Sequence, residues 1–314
     1  MRSCACCRAS TAQGPSPNST GRWESDDFLR SALPRRTAMP RSLEDVIQEH
    51  IDADKTQLPI FDGTGARVQE ILSGDDFEVA EIEELISSDP ALTTGVLRMA
   101  NSSVFGGLEK VAGVHQAIVR LGARQVANLV LMIGVKKQVQ IQDPGLHQLV
   151  SELWRHSVSA AVGAEWLARR LKRADLASEA FVAGLLHDVG KLFLLRVVDD
   201  IQATDKKFRP EHSLVFEMLD SWHTSHGKTL IEKWNLPDDY GRVVALHHAD
   251  EYEDDDTLLL LVRLVDATCH RLGIGLNADT SIDPAASAEA HLLRVNPVLA
   301  AELEIHVEDA LNVA

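Results

Sequence analysis

Two adjacent residues, His187 and Asp188, stand in the middle of residues 181–195, a stretch apolar on nearly every side. A helix of that composition is buried. A dry, unpaired carboxylate is strongly unfavourable there, so something must compensate for Asp188. Neighbouring helical side chains diverge by about 100°, which lets His187 and Asp188 converge on one ion or lets the carboxylate bridge two. Further imidazoles lie on other helices. His156 is followed at i+4 and i+7 by Ala160 and Gly163, small enough to let a partner approach; His223 is read as opening a third helix, and His247-His248 as closing a fourth. Asp266, in the apolar run 258–269, is a second carboxylate needing an explanation.

Imidazole and carboxylate donors suit a divalent transition metal, Fe, Mn, Zn or Ni, and helical bundles commonly carry such sites. The chemistry would be a lowered pKa for a bound water, with Lys191 close by to steady a phosphate charge. The candidate metal ligands are His156, His187, Asp188, His223, His247, His248 and Asp266, and the candidate catalytic residues are Asp188 and Lys191. Any one of these histidines alone reads as a packed core residue; their ordered recurrence along successive helices is what points to a site. His50, His115, His147, His212, His226, His270 and His291 lack that context and are assigned to packing or surface.

The elements that must hold these residues read as helices throughout. With 314 residues, 45% of them hydrophobic and only 5% aromatic, the chain can bury a large core and favours helix packing over a sheet sandwich. Apolar positions recur near 3.6 residues over 79–87, 114–121, 123–135, 147–172, 178–197, 213–234, 238–248 and 257–272, and no segment alternates with period two. Leu58-Pro59 reads as a break before a helix carrying Val68, Ile71 and Leu72, and Asp89-Pro90 as an N-cap with proline at the first helical position. The expected fold is all-α, a multi-helix bundle of two packed subdomains with a seam near residue 145. Residues 39–145 form the first part, 146–275 the second, and 276–314 a helical cap or dimerisation surface.

Residues 1–38 carry six arginines against three acids and no apolar period, so they read as a disordered tail, with translation expected to begin at Met39. Cys4, Cys6 and Cys7 crowd into that tail without a second ligand pair, and no function is assigned to them. The formal net charge of −16 disfavours nucleic acid as a direct partner. No run of about 18 apolar residues is present to span a bilayer and no secretory signal is evident, so a cytoplasmic location without membrane contact is expected. Six acids in the seven residues 250–256 read as a solvated loop.

Several motifs together resemble one family. Leu58-Pro59, Ser88-Asp89-Pro90-Ala91-Leu92-Thr93, Ala100-Asn101-Ser102-Ser103 and Ala117-Ile118-Val119-Arg120-Leu121-Gly122 are similar to the first half of HDOD domains. His187-Asp188-Val189-Gly190-Lys191 resembles the HD-superfamily motif; His223 through Gly227 to Trp234-Asn235-Leu236-Pro237, then His247-His248, resembles the HDOD closing segment. The resemblance covers about residues 50–270. It implies an all-helical bacterial signal-transduction output or regulatory module, related to HD phosphohydrolases but commonly with metal ligands partly lost. This chain keeps a His or Asp at each matched position, which raises a metal-dependent phosphohydrolase acting on a nucleotide or cyclic dinucleotide as the alternative. HD-GYP phosphodiesterases are disfavoured, because no Gly-Tyr-Pro element follows His248. The partners expected are signalling proteins and a nucleotide ligand, with a homodimer possible in architecture. Asn101 and Arg120 are read as cap and buttress residues rather than ligand contacts.

Overall fold

Short polar residues satisfy the first unpaired amides of several helices in this protein, among them Asp89, Asp143, Asp256 and Asn296. The computed structural model describes residues 42–53, 67, 68, 71, 78–102, 104, 105, 107, 109–138 and 140–312. The expected N-terminal tail, the proposed start at Met39, the three N-terminal cysteines and the Leu58-Pro59 break lie outside these residues. Among the described residues there is no strand. The helices are α1 Leu43–Asp52, α2 Val79–Ser87, α3 Pro90–Ala100, α4 Val114–Leu121, α5 Ala123–Gln138, α6 Pro144–Arg170, α7 Ala177–Leu186, α8 Val189–Thr204, α9 His212–Lys233, α10 Asp238–Leu246, α11 Thr257–Arg271, α12 Ala288–Leu292 and α13 Pro297–Asp309.

Asp89 caps α3 by accepting from the amides of Ala91 at 2.7 Å and Leu92 at 3.1 Å, with Pro90 at the first position as expected. Asp143 does the same for α6 with Pro144. Asp199, buried in α8, accepts the amides of Gln142 and Asp143, both at 2.9 Å, and so ties the start of α6 to the end of α8. Asn101 closes α3 by donating to Leu97 and Val111 carbonyls and accepting from the Val111 amide, the capping role read from sequence. Arg120 donates to the Glu109 carbonyl and buttresses the same loop.

Two departures from the expected helices bear on function. The segment 178–197 is not one helix: α7 stops at Leu186, Asp188 leaves helical geometry with φ −103° and ψ 13°, and α8 starts at Val189. A hydrophobic pattern unbroken across the junction hid the break; the local signal was the Asp itself, a preferred N-cap type. His223 sits in the middle of α9 rather than opening it. The C-terminal run likewise divides, into α12 and α13, where Asn296 caps a helix beginning at Pro297.

Residues from both sides of position 145 share one buried apolar cluster, in which Ile47, Met99, Leu129 and Leu131 join Val158, Phe181, Leu185 and Leu194. α1 packs on α8, and α5 packs on α7. The C-terminal α13 lies on α6 and α11, with Leu303 and Val307 in a second cluster alongside Leu167 and Leu261.

The tightest contacts are at glycines. A Cβ on Gly184 would lie 2.7 Å from the Ala160 carbonyl oxygen, which lets α7 press its backbone on α6. A Cβ on Gly190 would lie 1.9 Å from the carbonyl oxygen of His223, so α8 and α9 cross at backbone contact just after Asp188. Gly190→Ala should therefore force the two backbones apart and lower unfolding stability by about 3 kcal/mol. Gly134→Ala, whose Cβ meets nothing within 4 Å, should be neutral or slightly stabilising. Urea denaturation of the two variants side by side measures the difference.

Candidate metal centre

The α7–α8 junction lies where α6, α9, the end of α10 and α11 converge, and each contributes donors. His156 comes from α6, His187 and Asp188 from the junction, His223 from α9, His247 from the residue ending α10, and Asp266 from α11. All are buried, from 0% exposure at His187 to 5% at Asp266. His248 is exposed at the edge of the group, its ring centroid 4.1 Å from that of His247.

Asp188 occupies the N-cap position of α8, yet its side chain makes no capping bond. Its two oxygens face two sets of imidazoles. Oδ2 is 3.5 Å from His156 Nε2 and 3.7 Å from His187 Nε2. Oδ1 is 3.6 Å from His223 Nε2 and 3.5 Å from His247 Nε2. Asp266 joins the first set, with Oδ1 3.1 Å from His156 Nε2 and 3.6 Å from His187 Nε2. One carboxylate thus stands between two clusters, a disposition suited to two ions.

The tautomers follow from the backbone. Nδ1 of His156 lies 3.1 Å from the Ile274 carbonyl, that of His187 2.8 Å from Gly184, that of His223 2.7 Å from Leu219, and that of His247 2.9 Å from Val244. A carbonyl only accepts, so each Nδ1 carries the proton, and each neutral ring turns a lone pair on Nε2 inward. These lone pairs face one another: His156 and His187 Nε2 are 3.0 Å apart, and His223 and His247 Nε2 are 3.4 Å apart. Asp188 Oδ1 is buried without a hydrogen-bond partner. Opposed lone pairs and an orphaned carboxylate oxygen are what a cation resolves, so the residues fit a divalent metal.

In the chain by itself, Lys191 provides the nearest compensation. Lys191 Nζ donates to Asp188 Oδ2 at 2.8 Å from the next turn of α8. Burial acts to raise the Asp188 carboxyl, but Lys191, then His187 and the other imidazoles, outweigh it and hold the group well below the usual carboxylate range. Burial would likewise raise Asp266, and hydrogen bonds from His156 and His187 hold it well below that range. Burial pushes His223 down to about 4, leaving it neutral and ready to ligate near pH 7. Burial acts to lower the His187 imidazole, and the charges of Asp188 and Asp266 outweigh it and raise it.

Every sequence-predicted ligand therefore lies in one cluster, with His248 at its rim. Lys191 is committed to Asp188 by a buried ion pair. One residue assigned to packing belongs here instead. His270 stacks on His156 with centroids 5.6 Å apart, and its Nε2 is 3.5 Å from Asp266 Oδ1. Its i+4 spacing from Asp266 on α11 was the available signal. The cover of the site, residues 273–277, was not legible beforehand. Ile274 offers its carbonyl to His156, and Gly275, at φ +110°, lies so close that a Cβ would be 3.0 Å from His156 Nδ1.

Lys191→Met should remove the positive charge that best offsets Asp188 and destabilise the metal-free chain by about 3–5 kcal/mol. Added divalent metal should return part of that loss, because a cation replaces the missing charge. Thermal unfolding with chelator and with metal, for wild type and variant, checks both.

Comparison with known proteins agrees with this architecture. Residues 58–250 match the family model of the HDOD domain. An uncharacterized protein of Treponema pallidum (strain Nichols) is 28% identical over 229 residues, 68% of this chain; the chain spans only 43% of that relative's length. An HDOD domain protein of unknown function from Geobacter sulfurreducens superposes with a TM-score of 0.68 at 21% identity, covering 85% of this chain and 95% of that one. A Shewanella amazonensis SB2B protein, provisionally named a metal-dependent phosphohydrolase, gives 0.64 at 15% identity over 84% of this chain and 96% of that one. A Marinobacter aquaeolei VT8 protein, provisionally named a signal transduction protein, gives 0.61 at 23% identity over 91% and 63%. No single described helix is long and apolar enough to cross a membrane. The fold is shared with these structures and the family match spans more than half of the sequence: the chain belongs to the HDOD family.

Proposed function

We propose that this HDOD chain is a signalling output module whose buried His/Asp cluster takes up a divalent transition metal, Fe, Mn, Zn or Ni, and presents the loaded and unloaded states of its core to a protein partner. The observation that carries the metal reading is the pair of inward Nε2 lone pairs of His156 and His187, 3.0 Å apart, with both Nδ1 atoms committed to carbonyls. Enclosure favours a module over an enzyme. His156, His187, Asp188, His223, His247 and Asp266 are each at most 5% exposed, and Ile274 and Gly275 lie against His156, so the Asp266 side of the cluster is covered by the chain itself.

A route from site to surface supports the same reading. α7 ends at His187 and α8 begins after Asp188, so a ligand at the junction acts on both helices. α7 packs against α5, and α8 against α1, in the first half of the domain. Metal-dependent ordering of the junction therefore reaches the half that simple hydrolases lack. A differential effect of this kind is what a ligand needs to shift a population.

A metal-dependent phosphohydrolase acting on a nucleotide or cyclic dinucleotide is the second reading, favoured by the division of Asp188 between two imidazole sets. Bound metal would supply Lewis-acid activation of water and of a phosphoryl oxygen. The chain's own residues would hold the ligand set in register, keep Asp188 ionised through Lys191, and exclude bulk water. His248, at the rim, is the residue placed to meet an incoming phosphoester.

Elemental mass spectrometry of purified chain should find one or two equivalents of a transition metal, lost in His187→Ala and in Asp188→Ala. A folded wild type with none would sink the metal reading. Turnover of nucleotides, cyclic dinucleotides or a generic phosphodiester by the loaded chain would select the second reading over the first. Hydrogen exchange should show α1 and α5 better protected with metal than with chelator; protection confined to the ligand helices would remove the proposed route.

A further inference from the structure

We infer that His270 is a further metal ligand, a fifth protein donor on the Asp266 side of the cluster that fills the coordination position a hydrolytic metal keeps for water. The inference rests on the proposed metal site and concerns how that site is completed.

Four protein donors already lie on that side: the Nε2 atoms of His156 and His187 are 3.0 Å apart, and each is 3.1–3.7 Å from Asp188 Oδ2 and Asp266 Oδ1. His270 adds a fifth. Its Nε2 lies 3.5 Å from Asp266 Oδ1, and His156, Asp266 and His270 each offer one donor atom within 4.8 Å of the others. Its ring is nearly parallel to that of His156, at 18°, so the two imidazoles enter the site side by side.

The position His270 occupies matters because it is the accessible one. Its side chain is 16% exposed, against 2% for His156 and 0% for His187, so it stands between the cluster and solvent. Catalytic metal sites commonly combine three protein ligands with an open place for water or substrate, whereas sites closed by protein donors are structural. The loop after α11 reinforces the closure. Gly273 and Ile274 bond back to the carbonyls of His270 and Cys269 at 3.1 and 2.9 Å, Asn277 Nδ2 donates to Asp220 Oδ1 at 3.1 Å, and Gly275 lies over His156. The further donor on this side would therefore come from α11 itself, one turn beyond Asp266. On this side the metal is held rather than offered to a substrate; an open position remains only on the His223, His247 and His248 side.

The test uses full-length chain loaded with Co2+, compared with His270→Ala and His270→Gln. Paramagnetically shifted imidazole proton resonances count the ligated histidines. The wild type should show one more ligated ring than either variant, Co2+ affinity should fall by about 10–100-fold or more in both, and free imidazole should restore the lost affinity in His270→Ala. His270→Gln keeps a side chain able to hydrogen-bond Asp266. Wild-type affinity in His270→Gln, or an unchanged count of shifted rings in both variants, would mean that His270 only orients Asp266 and would overturn the inference while leaving the metal site standing. A wild type that takes up no metal at all would overturn both. Circular dichroism of the metal-free variants establishes that they are folded.

Discussion

The donors in the second half of this domain are arranged around the buried carboxylate of Asp188. An anion at 2% exposure is tolerable only where positive charge and donors surround it. The chain supplies Lys191 from the next turn, the N-terminal end of α8 with its partial positive charge, and imidazoles from four directions. Asp188 forgoes the capping bond that its position would normally make, and the α7–α8 break is what frees the carboxylate to turn inward.

The break in turn depends on packing that only glycine permits. Gly184, three residues before His187, allows α7 against the Ala160 carbonyl; Gly190, two residues after Asp188, allows α8 against the His223 carbonyl. These two contacts fix the distance from the junction to α6 and α9, and hence the reach of His156 and His223. Backbone carbonyls then set the ligand tautomers, since each inward Nε2 is opposed by an Nδ1 bond to the main chain. The positioning of the donors is thus built from helix backbones rather than from flexible side chains, which favours a preorganised site.

The first half of the domain is coupled to this centre by sharing its core. Ile47 and Leu129 bury themselves in the same cluster as Phe181 and Leu194, so the two halves share one packed core. A close-packed interior passes displacement on because it has few voids to absorb it. The centre is small and buried, and the helices that share its core, α1 and α5, lie in the first half of the domain.

How far the sequence alone reached follows from what is local. The all-helical class, most helix boundaries, the Asp89 cap, and the set His156, His187, Asp188, His223, His247, His248 and Asp266 were legible, because periodicity, capping chemistry and out-of-place polar residues are properties of short segments. The break at His187-Asp188 was not, because the apolar pattern runs through it and the reason for the bend is a backbone crossing with α9, distant in sequence. The place of His270 was missed as well: its i+4 spacing from Asp266 was the local signal, one that a packing residue on the same face shares, and only the fold sets it beside His156, more than a hundred positions earlier. The enclosure by residues 273–277 and the division of Asp188 between two imidazole sets likewise belong to tertiary structure. Residue types determined that a cation centre was chemically available; the convergence of five segments decided which donors meet, which tautomers they hold and how little of the site is left to solvent.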